Sequence, residues 1–183
     1  MPQLTNSNEF PGYPFLTLLI SGGHTMVALA ISCRSFKILA STVDIAIGNA
    51  FDKAARLLQI APDPTRGYGA ALESFCRQDY VVSHPPSKGR NSYPPLVYSL
   101  PNPKQSNLFS FTGLTAAVQR LTESQELTDG DRWTIAGAFQ TAAFHQLELR
   151  LKGSIEWCRT NSIAPVSLVV SGGVASNETL RQR

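Results

Sequence analysis

Two stretches of this sequence end alike: Leu18-Leu19-Ile20-Ser21-Gly22-Gly23 and Leu168-Val169-Val170-Ser171-Gly172-Gly173 each run an apolar strand into Ser-Gly-Gly, 150 positions apart. Paired glycines after a buried strand let the backbone approach a phosphate closely, with N–H groups and the serine hydroxyl turned toward its oxygens. After the second copy, Val174 to Leu180 predicts a helix that begins at once, and its N-terminus would add positive potential for an anion. Neither copy is a GxxxxGK[ST] loop or a GxGxxG fingerprint. Glycine pairs also make tight turns with no ligand. One copy alone favours that plain reading, whereas a matched pair ending buried strands favours an anion site.

Three other polar positions could take part. His24 follows the first glycine pair and could donate to a phosphate, sit beside a metal or cap the turn. Asp52, beside Lys53 in a helical stretch, could accept hydrogen bonds from sugar hydroxyls, although an exposed charge pair explains the spacing as well. Asn177, after the second glycine pair, could read a base or sugar edge or simply start a helix. Gly69 lies in a Gly-Tyr-Gly loop. The three histidines, His24, His84 and His145, form no HxxH or HxxxH pair, so spacing predicts no self-sufficient metal site. Cys33, Cys76 and Cys158 form no CxxC pair; they suit a reducing compartment, with Cys33 and Cys158 as buried structural thiols.

The elements that must position these residues are readable from periodicity. Phe15 to Ile20 reads as a strand buried on both faces, followed by strands over Met26 to Ile31 and Phe36 to Ala40. Asp44 is placed to cap a helix in which Ala46, Ala50, Ala54, Leu57 and Leu58 recur, with Pro62 and Pro64 stopping it. Gly67-Tyr68-Gly69 reads as a loop before a short helix from Ala70 to Arg77. Six of the twelve prolines fall between Pro85 and Pro103, which marks 78–107 as an extended or irregular ribbon. Helices are expected over Gly113 to Leu121 and Asp131 to Thr160, and a last strand over Val166 to Val170.

Composition narrows the class. With 183 residues, 43% of them hydrophobic, the chain can bury one respectable core or two small lobes. A charged fraction of 16% and a net charge of +3 contain no dense basic stripe of the kind a dedicated nucleic-acid binder shows. No apolar run approaches the roughly 20 residues of a membrane span. The lead, 1–12, has neither basic residues nor an apolar stretch, unlike a signal or transit peptide.

Four stretches in fixed order carry a family resemblance: Ser21-Gly22-Gly23-His24-Thr25, Asp44 through Lys53, Phe109-Ser110-Phe111-Thr112-Gly113-Leu114, and Ser171 through Asn177. Over 11–183 the chain resembles the tRNA threonylcarbamoyladenosine synthases, and its His24 form looks like the bacterial and mitochondrial branch. The resemblance implies the two-lobed α/β fold of actin and the heat-shock chaperones (the ASKHA superfold), here truncated at both ends, with 13–183 as a partial domain. It implies transfer of a threonylcarbamoyl group from threonylcarbamoyl-adenylate to N6 of an adenosine beside the tRNA anticodon, with that adenylate or ATP as the nucleotide ligand. Leu19, Ile20, Ser21, Gly22 and Gly23 would line the acyl-adenylate, with His24, Gly172 and Gly173 as additional contacts. Asp52 and Gly69 would hold it from the facing lobe, and Asn177 would complete the pocket. The family's iron or zinc is held by an HxxGH pair and a later aspartate; this sequence contains neither, so no metal ligand is assigned. Thr115 replaces a usual lysine, and Asn49 an acidic residue. The expected partners are tRNA and either a second copy or a partner subunit, with no membrane. The expected location is mitochondrial, or otherwise cytoplasmic. A fragment, a mis-predicted gene product or a degenerate paralogue, inactive alone, is the corresponding expectation; a small-molecule kinase of the same superfold and a non-catalytic partner subunit are the alternatives.

Overall fold

The computed structural model describes residues 12–77 and 107–183. Nearly all of the polar lead and of the proline-rich ribbon therefore lies outside the described residues. Five strands, β1 (Phe15–Ile20), β2 (Thr25–Ser32), β3 (Ser35–Thr42), β4 (Leu108–Phe109) and β5 (Leu168–Ser171), form one sheet in the order β4-β3-β2-β1-β5. The β1-β2-β3 meander is antiparallel, while β5 and β4 join β1 and β3 in parallel. Helices α1 (Ile47–Leu57), α2 (Gly67–Arg77), α3 (Thr112–Ser124) and α4 (Asp129–Thr160) pack around it, followed by a 3-10 turn (Gly173–Ser176) and α5 (Glu178–Arg181). This mixed α/β architecture is the fold class expected from the sequence.

The strands alternate as their period of two requires. Leu16, Leu18 and Ile20 are buried and pair with the buried Leu29, Val27 and Thr25, whereas Phe15, Thr17 and Leu19 are only half-buried. The first strand is thus fully buried on one face, not two, because the described helices cover a single side of the sheet. Phe51 of α1 lies at the centre of that covered side, edge-on to Phe139 and stacked on Phe144, both from α4. On the other side Phe36 and Ile38 of β3 are each 60% exposed. Cys158 is buried as expected, but Cys33 is exposed at the tight β2–β3 turn.

Several element ends differ from the sequence reading. Asp44 does not cap α1. The N-cap position belongs to Ala46, which offers no side-chain bond, and the buried Thr25 hydroxyl accepts the Ile47 N–H at 2.8 Å instead. The α1 helix closes before Pro62, through the left-handed Gln59 (φ 56°) and the Ile60 N–H bonded to Ala55 O at 2.9 Å. Gly67 and Gly69 belong to the first turn of α2 and not to a loop. A reciprocal Thr128–Asp131 capping box starts α4 at Asp129, two residues early.

Candidate functional site

The parallel pairing of β1 with β5 brings the two Ser-Gly-Gly turns to the same end of neighbouring strands, with Leu18 opposite Val170 and Leu19 opposite Ser171. Ligands of open α/β sheets gather outside such strand ends. The fit between the turns is close. Gly172 has φ 103°, and a Cβ there would stand 2.2 Å from Ile20 O. Only glycine lets the second turn lie against the end of β1. The side chain of Ile20 is fully buried in the core, so its share in the site is this carbonyl edge.

The first turn is tied internally. Ser21 N–H donates to His24 O at 2.8 Å, and the Ser21 hydroxyl accepts the Gly23 and His24 N–H groups at 3.2 and 3.0 Å. Gly22, Gly23 and His24 are exposed. The amides expected to face a phosphate are thus gathered around one serine oxygen, which an anion could replace as their acceptor.

The α1 helix docks on this turn. Gly48 N–H donates to Ser21 O at 3.1 Å, and a Cβ on Gly48 would meet Gly22 N and Ser21 C and O at 2.8 Å. Together with the Thr25–Ile47 bond, this fixes the start of α1 and so the placing of Asp52 one turn on. Asp52 is half-buried, and no hydrogen bond or ion pair ties its carboxylate among the described residues. Gly69 faces it: a Cβ there would lie 3.6 Å from Asp52 Oδ1. Asp52 and Gly69 are therefore neighbours, on helices that share one hydrophobic cluster with β1 and not on a facing lobe.

After the second turn the chain departs from the expected helix. Gly173–Ser176 is a single 3-10 turn, and Asn177 restarts the chain as the cap of the four-residue α5. Asn177 is buried; its side-chain oxygen accepts the Leu180 N–H at 3.0 Å, and its amide nitrogen lies 3.5 Å from Gln140 Oε1. The buried Glu73 of α2 accepts the Glu178 N–H at 2.7 Å, and Arg77 pairs with the Glu178 carboxylate. Asn177 is thus a helix-start residue in this structure, and no long helix points its N-terminus at the second turn.

Asp44, freed from α1, binds the start of α3. Its carboxylate accepts from Ser110 Oγ at 2.5 Å, Phe111 N at 2.9 Å and Thr112 N at 3.3 Å. Burial alone would raise its pKa, but these hydrogen bonds to the ionised form outweigh that and leave it below the ordinary carboxylate value. Gln146 closes the junction from α4, exchanging two bonds with the Ser110 backbone at 3.3 and 2.9 Å. Thr25, Gly48, Glu73, Gln140 and Gln146 support the site, yet spacing does not single them out. Gly48 and Thr25 lie inside the family-like stretches; the other three carry no local signal.

Burial also pushes the Cys76 thiol up to about 12, with the Glu73 charge adding to it, so this cysteine is a packing residue. Among the described residues no three His, Cys, Asp or Glu side chains converge as a metal site would need, and no helix is long and apolar enough to cross a membrane.

The model of one family, described as tRNA N6-adenosine threonylcarbamoyltransferase, matches residues 1–183. Proteins of that name from Brucella ovis and Brucella canis are each 39% identical to the chain over 175 residues, and one from Brucella abortus is 38% identical. Each alignment covers 92% of this chain and 44% of the relative, so the chain spans less than half the length of the curated relatives it matches.

Proposed function

Because the chain belongs to the tRNA N6-adenosine threonylcarbamoyltransferase family, we propose that it carries the acyl-adenylate-holding portion of an enzyme that transfers threonylcarbamoyl to N6 of a tRNA adenosine. The observation that carries the reading is the β1–β5 pairing, which sets both Ser-Gly-Gly turns beside each other, with Asp52 one turn into the helix whose start docks on the first of them.

The chemistry asked of these residues is binding and orientation. The Gly22, Gly23 and His24 backbone would face the phosphate, with N–H groups now gathered on the Ser21 hydroxyl turning to its oxygens. Asp52, with no bond among the described residues, would accept hydrogen bonds from ribose hydroxyls. Gly172 and Gly173 would close the other side without side-chain bulk. Among the described residues no donor set matches the iron or zinc that the resemblance implies.

Isothermal titration of the chain with a non-hydrolysable threonylcarbamoyl-adenylate analogue tests this. Saturable binding is expected, weakened at least tenfold by Asp52→Ala. Absence of heat at millimolar analogue, with the fold intact by circular dichroism, would sink the reading.

A further inference from the structure

A groove of about 380 Å³ runs between α1 and α3 on the flank of the helix that carries Asp52. Its polar lining is Lys53 and Arg56 from α1 and Thr112, Thr115 and Gln119 from α3, over Leu57; no carboxylate lines it. Lys53 and Arg56 are exposed, one helical turn apart, and neither makes an ion pair or hydrogen bond among the described residues. Arg66, Arg77, Arg132, Arg159 and Arg183 each have a carboxylate partner, whereas Arg34, Arg120 and Arg181 also lack one among the described residues but do not line this groove. Arg56 is also preset: its guanidinium lies over the Tyr68 ring, 4.6 Å from the centroid. Stacking of this kind orders the planar group while leaving its N–H edge available. The α3 N-terminus is not the attractant, since Asp44 already takes the Phe111 and Thr112 amides. A larger groove of about 600 Å³ further along carries Glu123 and Glu126 against Arg132 and has no such bias of sign.

Resting on the functional reading above, we propose that the α1–α3 groove is a contact for the sugar-phosphate backbone of the RNA substrate. Two exposed cations and the Thr112 hydroxyl are the donors open to phosphodiester oxygens, since the Thr115 hydroxyl donates to Thr112 O at 3.0 Å and the Gln119 amide to Glu123 at 2.7 Å. The groove is open and its cations are exposed, unlike the enclosing pockets that hold small ligands. Exposed cations suit a backbone contact whose strength falls with salt. Such a contact needs no dense basic stripe, so it agrees with the chain's net charge of only +3.

Fluorescence anisotropy with an unmodified tRNA transcript, over a salt series, tests the groove. Lys53→Glu/Arg56→Glu is expected to weaken binding at least tenfold at low salt and to flatten the slope of log K against log salt by roughly 1.5, about 0.7–0.9 per lost contact. The charge-matched Lys152→Glu/Arg159→Glu on α4 is expected to lose less than threefold. Equal losses in the two variants, no loss in the first, or no tRNA binding by the wild-type chain would each overturn the proposal. Displacement of tRNA by millimolar ATP at constant ionic strength, abolished in the Lys53/Arg56 variant, would overturn it too, in favour of a small phosphate ligand. If the double reversal does not fold, Lys53→Gln/Arg56→Gln carries the same test. The analogue titration is read at Asp52, so failure of one reading leaves a visible result for the other.

Discussion

Gly172 and Gly173 are adjacent and identical, yet they meet different surroundings. At Gly172 a methyl group would stand 2.2 Å from the Ile20 carbonyl with φ at 103°, whereas nothing lies within 4 Å of a Cβ on Gly173. Gly172→Ala is therefore expected to cost on the order of 3 kcal/mol, from left-handed strain plus displacement of a backbone that cannot flex away. Gly173→Ala should cost less than about 1 kcal/mol; urea midpoints of the two variants check the contrast. At Asp44 the lever is pH. Its folded-state pKa is lowered, so the stability it contributes is present above the ordinary carboxyl value of 3.8 and is lost as pH falls through the lower folded value. Asp44→Asn should lower stability near neutral pH by about 1 kcal/mol, the usual worth of a helix cap. The wild-type advantage should shrink below about pH 4. Thermal melts between pH 3 and 7 read this directly, and a pH-independent difference would contradict it. Gly172 lay in a repeated pattern and could be singled out from the sequence, although its reason, contact with Ile20, lies in the pairing of distant strands. Asp44 was visible as a capping residue, but the helix it caps begins 68 positions along the chain, at Thr112.

At the scale of elements, the start of α1 is set by two partners outside it. The Thr25 hydroxyl holds the Ile47 amide, and the Ser21 carbonyl holds Gly48. Thr25→Val keeps the shape and leaves a buried N–H unpaired, at an expected cost of about 1–3 kcal/mol. It should also weaken the acyl-adenylate analogue severalfold, because α1 carries Asp52; titration and denaturation of the one variant test both parts. The periodicities that place the elements are local, which is why the strands and helices are found where alternation and helical spacing put them. Their ends are not local. The α1 cap comes from β2, the α3 cap from the β3–α1 link and the α5 cap in part from Glu73 on α2. The second turn shows the same limit: Val174 to Leu180 has helical spacing, but Asn177 interrupts it by turning its side chain back to the Leu180 amide.

At the scale of the whole molecule, the helices among the described residues cover one side of the sheet and β3 is nearly an edge of it. It meets β4 only at Ser41 and Thr42, and Phe36 and Ile38 are largely exposed beside the remaining length. Long apolar edges of this kind recruit other strands. Ile38→Lys is expected to lower light scattering at high protein concentration while moving the melting temperature little; unchanged scattering would assign self-association to another surface. The central pairing also has a consequence in time. Leu16 and Leu168 are partners 152 positions apart, so a ribosome that has just released β1 works for roughly ten to thirty seconds before β5 exists. During that interval β1 can zip to β2, but its other edge stays open and the two glycine turns have not met. The nascent chain thus acquires its proposed nucleotide-holding corner only once β5 has emerged. A ligand bound there would stabilise the five-stranded sheet over forms of the chain in which β5 has not yet paired.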